Sequence, residues 1–316
     1  MRRLDTPTWA LILAGGDGAR LRSLTTQITG DSRPKQFCPL LDGDSLLERT
    51  RRRVGLICRD DHQVIVVSRP HEPYYRYLAA ELAPGRLVVQ PQNRDTGPGI
   101  VYPLLRIGEL AGDVPVAIFP SDHYIDDDLA FTGYVQRALE TVLQCRDLVV
   151  LLGIEADRPE TEYGWIEPSE IPLPFAGEPV FPVRRFWEKP SAEHARALLS
   201  RGCLWNSFVM VGTVGGFLDL VRMTMPSLLT AFETLQRTRP RLARPDPAAI
   251  EQLYRRLPTI NFSDEVLARG TDRLASIRVK SVQWSDWGNP HRVVASLQRA
   301  GVTPSWLGRV ELAPSA

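Results

Sequence analysis

The sequence has little cysteine, no long apolar run and almost no net charge, and each shortage excludes a class of protein. Four cysteines among 316 residues, with no CxxC pair, predict reduced thiols rather than disulfides or a zinc site. No apolar run reaches the roughly 18 residues of a membrane helix, and no signal peptide follows the basic start, so we expect a cytoplasmic protein without a membrane partner. A formal charge of +1, from 38 basic and 37 acidic residues, argues against a nucleic-acid partner.

The composition is otherwise that of an ordinary globular chain, with 43% hydrophobic and 24% charged residues. Apolar runs alternate with helical segments along the first half, at residues 9–14, 63–68, 87–90, 114–119 and 147–154. This alternation predicts an α/β fold with a Rossmann-like, mixed but mainly parallel sheet flanked by helices. Beyond the last of these runs, short strands with aromatic residues and glycines, separated by prolines, predict a smaller α+β portion.

One helix start is marked clearly in the first half. Ser45 and Glu48 have the spacing of a capping box, which predicts that a helix begins here. This helix carries the arginines at positions 49 and 51–53. Because such clusters are usually hydrated, we expect a solvated helix face rather than a binding patch.

A glycine-rich turn follows the first apolar run, WALILA, and the rest of the chain can be organised around it. Gly15, Gly16 and Gly18 allow the backbone to approach a bound group closely, and consecutive N–H groups in such a turn form a concave anion site. Arg20 and Lys35 add the positive charge that a polyphosphate requires. The alternative is an ordinary turn between a strand and a helix, with two surface cations.

Two common phosphate-binding motifs are missing from this turn. No Gly-Lys-Ser/Thr follows the glycines, which excludes a P-loop. Leu21 stands where the third glycine of a dinucleotide fingerprint would lie, which disfavours a dehydrogenase.

The stretch does resemble the signature of the sugar-phosphate nucleotidyltransferases, GGxGTRL followed by PKQ. The resemblance implies a nucleotide-diphospho-sugar transferase type of fold, in which the loop wraps the nucleotide phosphates while Arg20 and Lys35 act catalytically on the transferring phosphate. Ala19 stands where the family usually has threonine, and the segment 22–33 is longer than usual.

A second match lies in QPQNRDTGPGI, residues 90–100, which resembles the RNTAPAI segment of the mannose-1-phosphate guanylyltransferases beside the base and ribose. Asp95, Gly97 and Gly99 replace the usual Asn, Ala and Ala, and a simple helix-capping loop is the alternative. With the glycine turn, the resemblance implies a set of nucleotide-binding residues: Leu13, Ala14, Gly15, Gly16, Gly18, Arg20, Lys35, Arg94 and Thr96.

Two aspartates match the family's metal ligands. Asp122, in PSDH at the end of an apolar strand, would unaided be read as a turn or cap residue. The resemblance instead implies that Asp122 acts catalytically as a ligand of Mg²⁺, a cation that takes hard oxygen ligands and bridges substrate phosphates. WSDWGNP, residues 284–290, resembles WxDVGSW and implies Asp286 as the second ligand, although its last residues differ from the family pattern.

The sugar side is implied by TEYGWIEP, FWEKP and LWNSFVMVG. In the resembled family these segments contact the hexose 1-phosphate, with a carboxylate on sugar hydroxyls and an ammonium on the phosphate. Without the resemblance, EKP would be read as a surface turn. The residues carried over as sugar-phosphate ligands are Tyr163, Gly164, Glu188, Lys189 and Asn206.

The matches recur in family order along most of the chain and imply a nucleotidyltransferase domain over residues 1–300, with a nucleotide-binding half (about 1–155), a sugar-binding half (about 156–300) and a tail (301–316). Neither an isomerase nor a β-helix domain is expected after it. The PKQF, PSDH and WNS segments favour GTP and mannose 1-phosphate as substrates, giving GDP-mannose and pyrophosphate with Mg²⁺. Another hexose 1-phosphate with another nucleoside triphosphate, or a catalytically silent sugar-nucleotide-binding paralogue, stay open as alternatives, and so does a homodimer.

Overall fold

The computed structural model describes residues 7–175, 177–237 and 246–310. Its strands are β1 (Trp9–Ala14), β2 (Gln63–Ser68), β3 (Leu87–Gln90), β4 (Pro115–Pro120), β5 (Tyr124–Ile125), β6 (Val149–Glu155), β7 (Gly164–Pro168), β8 (Val180–Glu188), β9 (Leu204–Thr213), β10 (Leu274–Val279) and β11 (Trp284–Ser285). Its α-helices are α1 (Arg22–Thr29), α2 (Leu46–Gly55), α3 (Glu72–Tyr75), α4 (Leu78–Glu81), α5 (Thr96–Ala111), α6 (Asp128–Gln144), α7 (Ala192–Ser200), α8 (Val214–Thr224), α9 (Pro226–Arg237), α10 (Pro247–Arg256) and α11 (Pro290–Arg299).

Nine of these strands form one mixed sheet in the order β3-β2-β1-β4-β9-β6-β10-β8-β7, which confirms the expected α/β class. Strands β3, β2, β1 and β4 run parallel, as do β6 and β10. The pairings of β9 with β4 and β6, and of β8 with β7 and β10, are antiparallel. Strand β9 thus lies between two strands from earlier in the chain, and the short β5 and β11 pair separately.

Hydrophobic cores on both faces of the sheet explain the continuous apolar runs in the sequence. In β1, Leu11 packs into one core while Ala10 and Ile12 pack into the other. Helices α5, α8 and α9 lie among the elements of the first core, and α6 among those of the second. A strand buried on both sides needs apolar residues at every position, unlike a half-exposed strand that alternates.

A third, smaller core packs the segment after β11 against the residues that follow the glycine turn. Leu21 and Leu24 pack there with Trp287 and Trp306. Trp287 also stacks on Tyr124, with ring centroids 4.9 Å apart. This packing brings the segment after β11 against the segment after β1, although the two are far apart in sequence.

The middle of β9 contains an irregularity. Its residues 207–209 lie opposite the single residue Leu152 of β6, because the register shifts between Leu151 and Gly153. Phe208 adopts φ +60°, in the left-handed region that bulky residues rarely occupy. The Ser207 hydroxyl donates to the Leu152 carbonyl at 2.6 Å and holds the bulge in place. Bulges of this kind redirect side chains and are frequent beside functional sites.

The expected solvated face of α2 is wrong for one arginine. Ser45 and Glu48 form the predicted capping box. Arg53, however, has only 4% of its side chain exposed, and its Nε donates to Asp128 Oδ1 at 2.6 Å. The helix packs against α6 on this side, so the cation is buried and is compensated by the carboxylate at the start of α6.

Two further expectations from the composition concern the cysteines and membrane-spanning helices. Cys38, Cys58, Cys145 and Cys203 are all free thiols. Within the described residues, no helix has both the length and the apolar character needed to cross a membrane.

Candidate active site

A cleft of about 330 Å³ opens at the carboxyl ends of β1, β2 and β4, where parallel sheets usually bind ligands. It is bordered by the glycine turn on one side and by β7, the end of β8 and the β9 bulge on the other. Its lining contains predicted residues from all three groups: Leu13, Gly15, Gly16, Arg20, Thr96, Asp122, Tyr163, Gly164, Glu188, Lys189, Asn206 and Asp286.

The glycine turn is held open by side chains beneath it. Gln36 donates through Nε2 to the carbonyls of Ala14, at 3.0 Å, and Gly16, at 2.7 Å. The Ser68 hydroxyl donates to the Gly15 carbonyl at 2.8 Å. Because side-chain donors hold three successive carbonyls of the turn, its conformation is fixed.

Gly18 has a specific geometric role in this turn. It adopts φ +58°, and a Cβ there would lie 3.0 Å from the backbone nitrogen of Lys35. Neither Gly18 nor Ala14 lines the cleft. We infer that these two predicted residues shape the turn rather than touch a ligand.

Lys35 lies between the two predicted metal ligands, with only 8% of its surface exposed. Its Nζ is 3.2 Å from Asp122 Oδ2 and donates to the Asp286 carbonyl at 2.5 Å. Because the Lys35 ammonium contacts both residues, the segment after β4 and the segment after β11 meet in one charged centre.

The carboxylate of Asp286 is strongly constrained. Its Oδ1 accepts from the Gly288 N–H at 2.9 Å and from Arg292 Nη1 at 2.7 Å, whereas Oδ2 has Arg20 Nη2 at 3.9 Å. Burial alone would raise the pKa of Asp286, but Lys35 and Arg292 outweigh it and hold the pKa below its usual value.

This donor set fits Mg²⁺. The described residues contain no group of three or more His, Cys, Asp or Glu side chains that could hold a metal. Mg²⁺ is commonly bound by one or two carboxylates together with substrate phosphates and water, rather than by a full protein cage. Asp122 and the Oδ2 atom of Asp286 supply such carboxylate oxygens beside the glycine turn, so these two residues could hold the cation.

His123, next to Asp122, is not placed as a base. Burial lowers its pKa, so the neutral ring is favoured. Its Nδ1 is 3.2 Å from the Ser207 carbonyl in the β9 bulge, and its ring packs edge-on to Trp284 at 5.3 Å. The histidine therefore packs the Asp122 side of the cleft against the bulge.

The five predicted sugar-phosphate ligands come together at the other end of the cleft. Gly164 at the start of β7 pairs with Glu188 at the end of β8. A Cβ on Gly164 would lie 2.8 Å from Glu188 Oε2 and 3.3 Å from the Asn206 Cβ, so glycine is needed for this close approach. Burial raises the pKa of Glu188 to about 7. Lys189 is more exposed, with its Nζ 4.0 Å from Glu188 Oε1.

Backbone strain concentrates around this cleft. Six non-glycine residues in the described chain have positive φ. Three of them line the cleft: Asp95 at φ +66°, Lys189 at +44° and Phe208 at +60°. Strained residues persist where the surrounding structure holds them and cluster at binding sites, which supports a functional role for this region.

Four of the predicted nucleotide ligands are absent from the cleft lining: Ala14, Gly18, Lys35 and Arg94. Arg94 Nε donates to the Tyr254 carbonyl at 2.9 Å, at the C-terminal end of α10. The side chain of Arg94 is thus engaged at the end of α10, and its role towards the nucleotide stays a prediction. The cationic side chain instead satisfies the free carbonyls and the negative dipole of that helix end.

The altered residues of the 90–100 loop differ in how tightly they are packed. Gly97 donates its N–H to the Ile260 carbonyl at 2.8 Å, and a Cβ there would lie 2.6 Å from Ile260 Cγ2. A Cβ at Gly99 would have its nearest neighbour at 3.5 Å, which is ordinary contact. Close contact with the segment after α10 therefore accounts for glycine at position 97 but not at position 99. It also brings Asn261 and Ser263 to the cleft wall.

The most prominent site residue that no motif indicated is Arg292, in the first turn of α11. Its Nη2 is 3.2 Å from Glu160 Oε2 and 3.3 Å from Glu162 Oε2, in addition to the contact with Asp286. A lone arginine after a proline gives no sequence signal. Its role follows only from the packing that brings α11 beside the segment before β7.

Comparison with known proteins is consistent with this geometry. A family model described as nucleotidyl transferase matches residues 9–298. The xanthan biosynthesis protein XanB of Xanthomonas campestris pv. campestris (strain B100) is 32% identical over 228 residues, which are 70% of this chain and 45% of XanB. The mannose-1-phosphate guanylyltransferase of Escherichia coli (strain K12) is 27% identical over 295 residues, 89% of this chain and 58% of that protein. The chain thus spans about half the length of the curated relatives it matches.

Solved structures agree on the architecture. A protein described as mannose-1-phosphate geranyltransferase from Thermus thermophilus matches with a TM-score of 0.78 and 29% identity, over 94% of this chain and 80% of that one. UDP-glucose pyrophosphorylase complexed with UDP-glucose matches with a TM-score of 0.54 and 16% identity, over 93% of this chain and 98% of that one, and shows the fold alone. Because the family model covers most of its length, the chain belongs to the nucleotidyl transferase family, and within it to the sugar-phosphate nucleotidyltransferases.

Proposed function

We propose that the protein transfers a guanylyl group from GTP to mannose 1-phosphate, forming GDP-mannose and pyrophosphate in a Mg²⁺-dependent reaction. The observation that carries the proposal is the meeting of Asp122 and Asp286 at Lys35, in one cleft with the glycine turn and with Glu188 and Lys189. A phosphate-binding turn at one end and a carboxylate–ammonium pair at the other suit two phosphorylated substrates. The relatives named for mannose 1-phosphate support this choice of substrates.

The reaction joins an oxygen of the sugar phosphate to the α-phosphorus of the nucleotide and breaks the bond to pyrophosphate. A phosphate monoester has a second pKa of about 6, so its oxygen is already ionised at neutral pH and no general base is required. This agrees with the packing role of His123.

The chain's own residues would then act by alignment and charge neutralisation. The fixed N–H groups of the glycine turn and the Lys35 ammonium would hold the nucleotide phosphates. Lys189 would hold the sugar phosphate, and Glu188 would accept hydrogen bonds from sugar hydroxyls. Asp122 and Asp286 would hold Mg²⁺, which, when bound, neutralises charge on the transferring phosphate.

Pyrophosphate release, measured across a grid of nucleoside triphosphates and hexose 1-phosphates with Mg²⁺, tests the proposal. We expect the highest kcat/KM for GTP with mannose 1-phosphate. A different best pair would change the assigned substrates but not the assigned reaction. No release from any pair would favour a silent sugar-nucleotide-binding protein, an alternative suggested by the pairing of Asp286 with Arg292.

A substitution at the second aspartate tests the metal assignment. Asp286→Asn keeps the shape of the side chain but removes its charge, and it should abolish most Mg²⁺-dependent turnover. Asp272→Asn, on a short turn before β10 and outside the cleft lining, is the matched control and should retain full turnover. Full activity of Asp286→Asn would refute the assignment.

A further inference from the structure

The arginine expected to hold the nucleotide phosphates is paired with a glutamate in the free protein. Arg20 Nη1 lies 3.0 Å from Glu162 Oε2. Both side chains are about half exposed, at 57% and 44%. Exposed ion pairs of this kind contribute little stability and exchange partners readily, so Arg20 can leave the glutamate for a more highly charged ligand.

The same glutamate oxygen has a second cationic partner that is far less exposed. Arg292 Nη2 lies 3.3 Å from Glu162 Oε2, and only 9% of the Arg292 side chain is exposed. Asn289 caps α11 by accepting a hydrogen bond from the Arg292 N–H at 2.9 Å. Helical side chains point back towards the helix N-terminus, which directs Arg292 towards Asp286.

Further contacts fix this guanidinium from several sides. Its Nη1 donates to Asp286 Oδ1 at 2.7 Å, and its Nη2 lies 3.2 Å from Glu160 Oε2. The guanidinium carbon is 4.7 Å from the centroid of the Tyr163 ring. A Cβ at Gly288 would lie 2.9 Å from Arg292 Nη1 and 3.0 Å from Arg20 Nη2, so the glycine leaves room for both arginines.

The two arginines share one carboxylate, but Arg292 is more deeply buried than Arg20 and has more contacts that hold it in place. A triphosphate that recruited Arg20 would otherwise leave a bare glutamate beside its own negative charge, and that repulsion would oppose binding. With Arg292 in place, the glutamate keeps a cationic partner after Arg20 has moved.

We propose that Glu162 holds Arg20 ready in the free protein and that Arg292 is the positioning residue that neutralises Glu162 once the nucleotide has recruited Arg20. This inference rests on the proposed function, because it takes a nucleoside triphosphate as the ligand of Arg20. It assigns Arg292 to the exchange of partners and not to the chemical step.

The proposal predicts a particular dependence between two substitutions. In Arg292→Gln, Glu162 has only Arg20 as a partner, so it competes with the nucleotide and binding weakens. In Glu162→Gln, Arg20 is released and binding becomes tighter. In the double variant no carboxylate is left at position 162 to compete, so the effect of losing Arg292 should largely vanish.

Calorimetric titration with GTP and Mg²⁺, without sugar phosphate, measures this directly. We expect Arg292→Gln to raise the Kd about fivefold or more, and the double variant to lie within about twofold of Glu162→Gln. Arg299→Gln is the matched control, since Arg299 lies on the same helix, is 46% exposed and is 3.7 Å from Asp157. It should leave the Kd unchanged.

The outcomes separate the inference from the function on which it rests. Equal weakening by Arg292→Gln with and without Glu162 would overturn the inference, because Arg292 would then act only through Asp286 or the fold. Failure of the unaltered protein to bind GTP would overturn the proposed function as well. If thermal melting shows that Arg292→Gln does not fold, Glu162→Gln alone decides: tighter GTP binding than in the unaltered protein supports the inference, and unchanged or weaker binding overturns it.

Discussion

Two glycines with left-handed backbone conformations allow the role of the glycine turn to be tested. Gly18 has φ +58° and Gly30, at the end of α1, has φ +78°. Alanine at either position must adopt the left-handed conformation, at a cost of about 1–2 kcal/mol. Only at Gly18 would the new methyl group meet a neighbour, the backbone nitrogen of Lys35 at 3.0 Å, whereas Gly30 has nothing within 4 Å.

Gly30→Ala should therefore lose about 1–2 kcal/mol of stability, a fall in Tm of a few degrees, with unchanged kcat/KM. Gly18→Ala should lose at least as much and should also displace Lys35 from between Asp122 and Asp286. Because a small misplacement at a reacting centre is costly, we expect kcat/KM to fall about tenfold or more. Urea unfolding and pyrophosphate release measure the two effects separately. Unchanged kcat/KM in Gly18→Ala, or an equal loss in Gly30→Ala, would refute this account of the turn.

Three further outcomes follow from the structure. Burial raises the pKa of Glu188 from 4.5 to about 7, so ionisation of this carboxyl should lower the stability of the folded state increasingly as the pH rises through that range. The KM for the sugar phosphate should fall as the pH rises through about 7. Glu188→Gln should remove both effects. Asp128→Ala leaves the buried Arg53 uncompensated and should cost about 2–3 kcal/mol in urea unfolding, most of which Arg53→Met should restore in the double variant. Gly97→Ala should destabilise the protein by about 1–3 kcal/mol because its Cβ would lie 2.6 Å from a neighbouring side chain, whereas Gly99→Ala should be neutral by the same assay.

Much of the nucleotide side could be predicted because its signals are local. The β1 strand, the glycine turn and the capping box at Ser45 each depend on a few consecutive residues, and each lies where the sequence places it. Asp122 and Asp286 could be paired only by resemblance, since no periodicity connects them. Their meeting depends on a hydrophobic core around Trp287 that no short window of sequence reveals.

What could not be predicted depends on tertiary packing. Phe208 lies in LWNSFVMVG, a segment with no local signal for a bulge, and its side chain disfavours positive φ, so the bulge is imposed by neighbouring groups such as Ser207. Arg94 satisfies the resembled motif, yet its neighbour in space is the end of α10, which captures the guanidinium. Local sequence is a poor guide wherever a distant element supplies the stronger partner.

The charge balance of the cleft supports the proposed role of Mg²⁺. Its cationic side chains are already engaged in the free protein: Lys35 and Arg20 contact Asp122 and Glu162, and Arg292 contacts Asp286. A triphosphate entering such a site would compete with carboxylates for Lys35 and Arg20. Holding Mg²⁺ turns two of the competing carboxylates into ligands of a cation that itself binds phosphate, so the same acidic residues that oppose a bare triphosphate would favour its metal complex.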